Sequence, residues 1–213
     1  MNPKLSSEAG EGQRSVVGRV LRALLVAAVS VVCVVALSGC SNKISEAHEL
    51  ERQGDIEGAL ASYTQALEEE PDDTVALTGA SVCLMLLKRY DEALLLQERL
   101  VEVDPTDAQI RVELGFNYLN HQSRPADAAR VFTEAVQLEP SAKNLCFLAQ
   151  AQQGAGKAAD AEATLRRAIA AEPGYQYSYR LLVGFLQEQG RAEEAQQVVQ
   201  QAEALGIDVN QTP

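Results

Sequence analysis

Apolar and small residues return at regular intervals along most of the chain. Prolines that each follow an acidic residue mark the interval, with spacings of 34, 35 and 33 residues. These prolines are Pro71, Pro105, Pro140 and Pro173. A fixed period of this length is typical of stacked helical repeats, in which no single unit buries its own apolar faces. Because proline cannot continue a helix, the spacing predicts helix pairs that each end just before a proline.

Positions counted back from each proline carry the same kind of residue. Twelve residues before it stands a small side chain that lets helices approach closely: Ala59, Ala93, Ala128 and Ala161. Eight residues before it stand Tyr63, Gln97, Phe132 and Leu165, and five before it Ala66, Leu100, Ala135 and Ala168. The same spacing continues without a proline at Ala195, Val199 and Ala202, so we expect five units.

This pattern resembles the tetratricopeptide repeat, in which Leu-Gly, Tyr, Gly, Ala, Phe, Ala and Pro follow at fixed offsets. The third unit matches it best, with Leu114-Gly115, Tyr118, Ala128, Phe132, Ala135 and Pro140. The resemblance covers roughly residues 41–207. It implies an all-α fold, an α-solenoid of about five antiparallel helix pairs. We expect the repeat domain over residues 40–207, after a signal peptide at 1–39 and before a disordered tail at 208–213.

The second unit departs from the family pattern. Lys88-Arg89-Tyr90 stands where glycine usually joins the two helices. Gln97 replaces the aromatic residue and Leu100 the small alanine. We therefore expect looser or bulkier packing against the third unit.

The first 39 residues differ from the rest of the chain. A positive leader with Arg14, Arg19 and Arg22 precedes an uncharged stretch from Ala23 to Leu37, and small residues follow. This stretch has 15 residues, whereas a membrane span needs roughly 20. The order of these segments predicts a secretory signal peptide. An uncleaved single membrane helix is the alternative, reached if the helix extends back through residues 20–22.

Leu37-Ser38-Gly39-Cys40 resembles the lipobox of bacterial lipoproteins. In that family the cysteine thiol is acylated and the leader is cut off, which leaves Cys40 as the lipidated first residue. Two acyl chains are enough for stable membrane anchoring. The resemblance implies a protein of the cell envelope, lipid-anchored to a membrane on its extracytoplasmic side.

The charge excludes some classes of partner. The net charge is −12, and it becomes −14 when residues 1–39, with four basic and two acidic residues, are removed. Nucleic-acid binding needs a basic surface, so we expect no nucleic-acid partner.

Cys83 and Cys146 are 63 residues apart, nearly two repeats, and we expect two buried thiols without a disulfide.

The sequence holds no phosphate-binding glycine loop, paired-cysteine motif, nucleophile elbow or HExxH motif. The acidic run around residues 68–73 lacks the ligand spacing of a calcium loop. We therefore expect no enzymatic activity, no catalytic residue, no cofactor and no metal.

In the family that the repeats resemble, the first helices of the units form a concave groove that binds peptides or helices. The repeat register assigns to this groove Val75, Thr78, Val82, Met85, Gln109, Val112, Phe116, Asn120, Lys143, Gln150, Tyr177 and Arg180. Its N-terminal part is apolar, and its C-terminal part carries the cations Lys143 and Arg180, so an acidic and apolar peptide or partner helix fits. The alternative is that Val82, Met85 and Phe116 belong to the ordinary inter-helix core.

Together these features predict a membrane-anchored scaffold for protein–protein interaction in the assembly of envelope complexes, pilus or secretion systems among them. One alternative is a helper that positions cell-wall hydrolases or synthases. Another is a repeat domain held by an uncleaved N-terminal membrane helix.

Overall fold

The computed structural model describes residues 42–209, and within this range it contains ten helices and no strand. Residues 42–53 form α1. The others are α2 (Ile56–Glu69), α3 (Thr74–Leu86), α4 (Tyr90–Val103), α5 (Ala108–Asn120), α6 (Pro125–Leu138), α7 (Ala142–Gly154), α8 (Ala158–Ala171), α9 (Gln176–Glu188) and α10 (Ala192–Glu203). The predicted all-α fold of helix pairs is therefore confirmed. The predicted signal peptide and Cys40 lie outside the described residues.

The described residues divide into two compact units, with the boundary between Ala76 and Leu77. In the first unit, α1 turns into α2 at Gly54, whose φ is +81°. Asp55 then caps α2 by accepting a hydrogen bond from the backbone N–H of Gly58 at 2.9 Å. The rings of His48 on α1 and Tyr63 on α2 pack edge to face at 5.9 Å, which joins the two helices.

In the second unit each helix packs against the next one along the chain, from α4 to α10. The first helices of successive pairs are also neighbours, since α5 contacts α7 and α7 contacts α9. The apolar core runs along these contacts, with the rings of Phe132 and Tyr179 fully buried.

The residues that repeat with the prolines are buried, as the period predicts. Ala59, Ala93, Ala128 and Ala161 are each 0 % exposed. The larger residues four positions later are also buried: Tyr63 (1 %), Gln97 (4 %), Phe132 (0 %) and Leu165 (2 %). The second helix of each of the first four pairs ends two residues before its proline, at Glu69, Val103, Leu138 and Ala171.

Two turns within helix pairs place a residue with a side chain in the left-handed region. Gly156 and Gly190 have φ values of +75° and +73° in their turns, whereas Lys88 has +61° and Ser123 has +52°. A left-handed conformation costs a residue with a Cβ about 1–2 kcal/mol. The second and third pairs therefore carry backbone strain that the glycine-containing turns avoid.

The second pair replaces the usual aromatic contact with a buried polar one. Oε1 of Gln97 on α4 accepts a hydrogen bond from Nδ2 of Asn117 on α5 at 2.8 Å. The side chains are 4 % and 0 % exposed. Because a buried amide is costly unless it is paired, this bond stabilises the α4–α5 contact at a position where the family has a ring.

The side chains of Cys83 and Cys146 are both buried, as predicted. Sγ of Cys146 lies 3.3 Å from Oγ of Ser178, and burial raises the pKa of the thiol to about 11.

The first two residues of the predicted tail contact the last helix pair: Gln176 donates a side-chain hydrogen bond to the carbonyl of Asp208, and Val209 is 6 % exposed in the core. These two residues thus extend the packed structure of the last helix pair.

Candidate functional site

The strongest candidate site is the face formed by α5, α7 and α9 in the second unit, here named the A-helix face. Helix α5 contacts α7, and α7 contacts α9, so side chains on their outer sides form a continuous surface. The surface combines aromatic rings, amide groups and two cations.

Three phenylalanine rings form the part of this face around α5 and α7. The half-buried ring of Phe116 packs edge to face on Phe132 at 5.4 Å and on Phe147 at 4.7 Å. Phe132 on α6 is fully buried, whereas Phe116 and Phe147 keep part of their surface in solvent. The buried ring therefore supports two rings that are presented to solvent on adjacent helices.

Gly115 makes the close packing of Phe132 possible. A Cβ at Gly115 would lie 2.6 Å from Cε1 and 2.7 Å from Cζ of the Phe132 ring, well inside van der Waals contact. The Leu-Gly element of the repeat thus has a steric cause here, because only a residue without a side chain lets α5 and α6 approach this closely.

A hydrogen bond joins α7 to α9 on the same face. Nε2 of Gln150 donates to the hydroxyl of Tyr177 at 3.0 Å. The ring of Tyr177 is edge to face with that of Tyr175 at 6.3 Å. Burial raises the pKa of Tyr175, so this phenol stays protonated at neutral pH. Tyr175 therefore presents a neutral, amphipathic side chain.

Each of the two cations predicted for the groove lies over an aromatic ring. Nζ of Lys143 is 5.9 Å from the centre of the Phe147 ring, and Cζ of Arg180 is 4.8 Å from that of Tyr177. Within residues 42–209, neither cation lies within salt-bridge distance of a carboxylate. The face therefore carries two positive charges on a chain whose net charge is −12.

The structure places the predicted groove residues in different environments. Val75 and Val82 on α3 are 49 % and 43 % exposed, and Val75 belongs to the first compact unit. Thr78, Gln109, Asn120 and Lys143 are also exposed, and Met85, Phe116, Gln150, Tyr177 and Arg180 are half-buried. The A-helix face brings together Phe116, Lys143, Gln150, Tyr177 and Arg180.

Val112 is only 4 % exposed and belongs to the core. The same register position on α7 is Cys146, which is also buried, and its sulfur contacts Ser178 on α9. At this register position, the first helix of the following pair covers the side chain. Arg180 holds the equivalent position on α9, and no further helix pair follows α10 among the described residues, so its side chain reaches solvent.

Two residues of the face, Phe147 and Tyr175, are not among those that the sequence predicts. Phe147 lies one position outside the assigned register, and Tyr175 lies in the turn before α9, where repeat register does not apply. A signal for Phe147 existed, since it follows Lys143 by four residues and therefore shares its side of α7.

Within residues 42–209, His, Cys, Asp and Glu side chains form no group of three or more that is placed to hold a metal ion. In the same range, no helix has both the length and the apolar character needed to cross a bilayer.

Solved structures with the same fold include a MamA protein, with a TM-score of 0.68 and 18 % sequence identity over 82 % of this chain and 98 % of that one. YrrB, described as a TPR protein with an unusual peptide-binding site, has a TM-score of 0.63 and 20 % identity, covering 75 % of this chain and 82 % of that one. PilW, described as a widely conserved type IV pilus biogenesis factor, has a TM-score of 0.60 and 22 % identity over 79 % of each chain.

No curated protein matches the chain in sequence. The family model of the tetratricopeptide repeat matches residues 50–112, 119–178 and 153–205. These matches span well over half of the chain, and the fold they describe is that of protein-interaction scaffolds. The protein therefore belongs to the tetratricopeptide repeat family.

Proposed function

We propose that the protein is a lipid-anchored scaffold that binds partner proteins on its A-helix face, outside the cytoplasmic membrane. The observation that carries this proposal is the chemistry of the face. Half-buried aromatic rings lie beside two cations that have no carboxylate partner among the described residues.

Such a surface suits protein recognition for a physical reason. Tyrosine, tryptophan and arginine contribute much of the binding energy at interfaces. The aromatic side chains do so because they bury a large area with little loss of conformational freedom. Tyr177 is already held by Gln150, and Phe116 by Phe132, so a partner does not have to order these rings. The cations favour a partner segment that is both acidic and apolar.

The anchor is proposed from sequence, because Cys40 lies outside the described residues. The motif Leu37-Ser38-Gly39-Cys40 at the end of an uncharged stretch supports acylation of the thiol and cleavage before it. With an acyl anchor only a few residues before α1, the repeats would lie close to the membrane surface.

The combination of anchor and repeats suggests a role in the assembly of envelope complexes. PilW is described as a pilus biogenesis factor, and a similar task, in a pilus or a secretion system, is our proposal for this protein. Since that likeness rests on 22 % identity, it supports the fold, and the role needs a direct test.

The anchor is tested by mass spectrometry of the membrane-extracted protein. We expect a mature chain that begins at Cys40 and carries the added mass of acyl groups. A Cys40→Ala variant should remain unprocessed or become soluble. A chain that retains residues 1–39 would replace the lipid anchor with a membrane helix, and a Cys40→Ala variant that is cleaved and membrane-bound as before would exclude lipidation of Cys40.

The binding face is tested by photo-crosslinking in the native envelope, followed by identification of captured proteins. Charge reversal at the face, Lys143→Glu with Arg180→Glu, should abolish capture and leave the far-UV circular dichroism unchanged. The matched control is Lys157→Glu, directly before α8, together with Arg167→Glu on α8; both cations are exposed and lie outside the face. Capture that survives the first pair of substitutions, or that the second pair abolishes equally, would move the site elsewhere.

A further inference from the structure

A cavity of about 520 Å³ opens at the start of α9. Its lining residues are Gly174, Tyr175, Gln176, Tyr177 and Arg180. Pockets that hold small ligands or buried parts of a partner occupy roughly 300–1,000 Å³. The cavity is thus large enough to receive more than one side chain of a partner.

The walls of the cavity are mostly apolar and are formed chiefly by two rings. Tyr175 and Tyr177 stand edge to face, with their centres 6.3 Å apart. Gly174 adds no side chain, and a Cβ placed on it would meet no atom within 4 Å, so this side remains open. The bond from the Gln176 side chain to the carbonyl of Asp208 holds another part of the lining in place. An aromatic or large aliphatic side chain fits between such walls.

Hydrogen-bond donors are concentrated at the Arg180 side of the cavity. The guanidinium lies over the ring of Tyr177 at 4.8 Å, and no carboxylate pairs with it in the described part of the chain. Glu172, in the turn before α9, uses its Oε1 to accept the backbone N–H of Ala142 at 2.8 Å. Because the Tyr177 hydroxyl accepts a bond from Gln150, its own proton is available to a ligand. A carboxylate matches these donors, since the planar guanidinium binds it through two parallel hydrogen bonds.

The position of the cavity identifies the source of that carboxylate. Tyr177 and Arg180 belong both to the cavity and to the A-helix face, so a chain bound along the face reaches the cavity without a break. We infer that this cavity binds a glutamate or aspartate of the partner protein together with an adjacent aromatic or large aliphatic residue. The inference rests on the proposed function, and it names the anchor residues of the partner.

Blocked, fluorescein-labelled pentapeptides test the inference by fluorescence anisotropy with the full-length protein in detergent. One peptide has the core Glu-Leu-Phe, the second Gln-Leu-Phe, and the third Glu-Ser-Ser. We expect the first to bind at least tenfold more tightly than either of the others, because a charge-assisted hydrogen bond or a buried ring is worth a factor of about ten or more. Its binding should also weaken as salt is added.

Variants then assign the effect to the cavity. Arg180→Gln should remove the preference for Glu-Leu-Phe over Gln-Leu-Phe, and Gly174→Phe should weaken both peptides by filling the open side of the cavity. Arg167→Gln, an exposed arginine on α8 outside the cavity, is the matched control and should bind like the wild type. Circular dichroism of each variant checks that the helices remain folded.

Equal binding of the glutamate and glutamine peptides to the wild type, or no binding of either, would overturn the inference. So would an Arg180→Gln variant that keeps the glutamate preference. These outcomes are separate from a failure of the proposed function: partner capture that depends on Lys143 and Phe116 but not on Arg180 would leave the scaffold role in place and reject only the cavity.

Discussion

Two glycines inside helices of the second unit should respond to alanine with opposite signs. Gly115 on α5 faces the ring of Phe132, and an added Cβ would lie 2.6, 2.7 and 2.9 Å from three of its carbon atoms. Gly184 on α9 has open space in front of it, with no atom within 4 Å of an added Cβ. The methyl group that alanine adds therefore overlaps a buried ring at Gly115 and meets open space at Gly184.

The magnitudes follow from two opposing effects. Alanine is favoured over glycine inside a helix by about 0.8–1 kcal/mol. At Gly184 nothing opposes this gain, so Gly184→Ala should stabilise the protein by about 0.5–1 kcal/mol. At Gly115 the overlap cannot be relieved cheaply, because Phe132 is 0 % exposed and contacts Phe116 and Phe147. Overpacking of this kind costs about 1–3 kcal/mol, so after the gain in helix propensity we expect Gly115→Ala to be destabilising by up to about 2 kcal/mol net.

Urea unfolding followed by circular dichroism measures both effects as shifts of the midpoint. A double-mutant cycle locates the cause: in a Phe132→Leu background the ring is gone, and Gly115→Ala should lose most of its cost. If Gly115→Ala stabilises the protein as Gly184→Ala does, or if its cost is unchanged in the Phe132→Leu background, the steric explanation of the Leu-Gly element is refuted.

Three further predictions follow from the turns, the ion pairs and the buried thiol. Lys88→Gly should raise the free energy of unfolding by about 1 kcal/mol, because Lys88 has a φ of +61°; an unchanged urea midpoint would contradict the strain. The hydrogen bond from Arg191 lowers the pKa of Glu162 from its ordinary value, so Glu162→Gln should destabilise the protein at pH 7 by about 0.5–1 kcal/mol. That difference should shrink as the pH falls through the lowered pKa, because the wild-type carboxyl is then protonated too, and a difference that stays constant as the pH is lowered would exclude the ion pair as its source. The pKa of Cys146 is raised to about 11 by burial, so iodoacetamide at pH 8 should leave this thiol unmodified in the folded protein and alkylate it in urea, as peptide mass mapping would show.

The recurrent pattern was sufficient to predict the helix pairs. A residue such as Ala128 or Ala161 is buried wherever its helix packs in a stack, because the geometry of the pair repeats with the sequence. Proline at a fixed offset likewise determines where a helix ends, since its ring and missing N–H act locally. Local causes of this kind leave a direct trace in the sequence.

The candidate site was only partly predictable. Register places Val112 and Arg180 at equivalent positions, yet one is buried and the other reaches solvent. The difference depends on whether another first helix lies beside the side chain. The repeat register could not predict Tyr175, because this residue lies in a turn whose path depends on the packing of the helices at either end.

By itself, the sequence determined the period, the helix ends, the family and the residues of the repeated core. It also suggests the proposed lipid anchor at Cys40, which lies outside the described residues. Only the tertiary structure decided which rings reach solvent, which cations lack a carboxylate partner among the described residues, and where a cavity opens at α9. The physical reason is that the exposure and charge pairing of a side chain depend on contacts between helices that are distant along the chain. The periodicity, in contrast, arises from the packing within each helix pair and is visible in its own sequence.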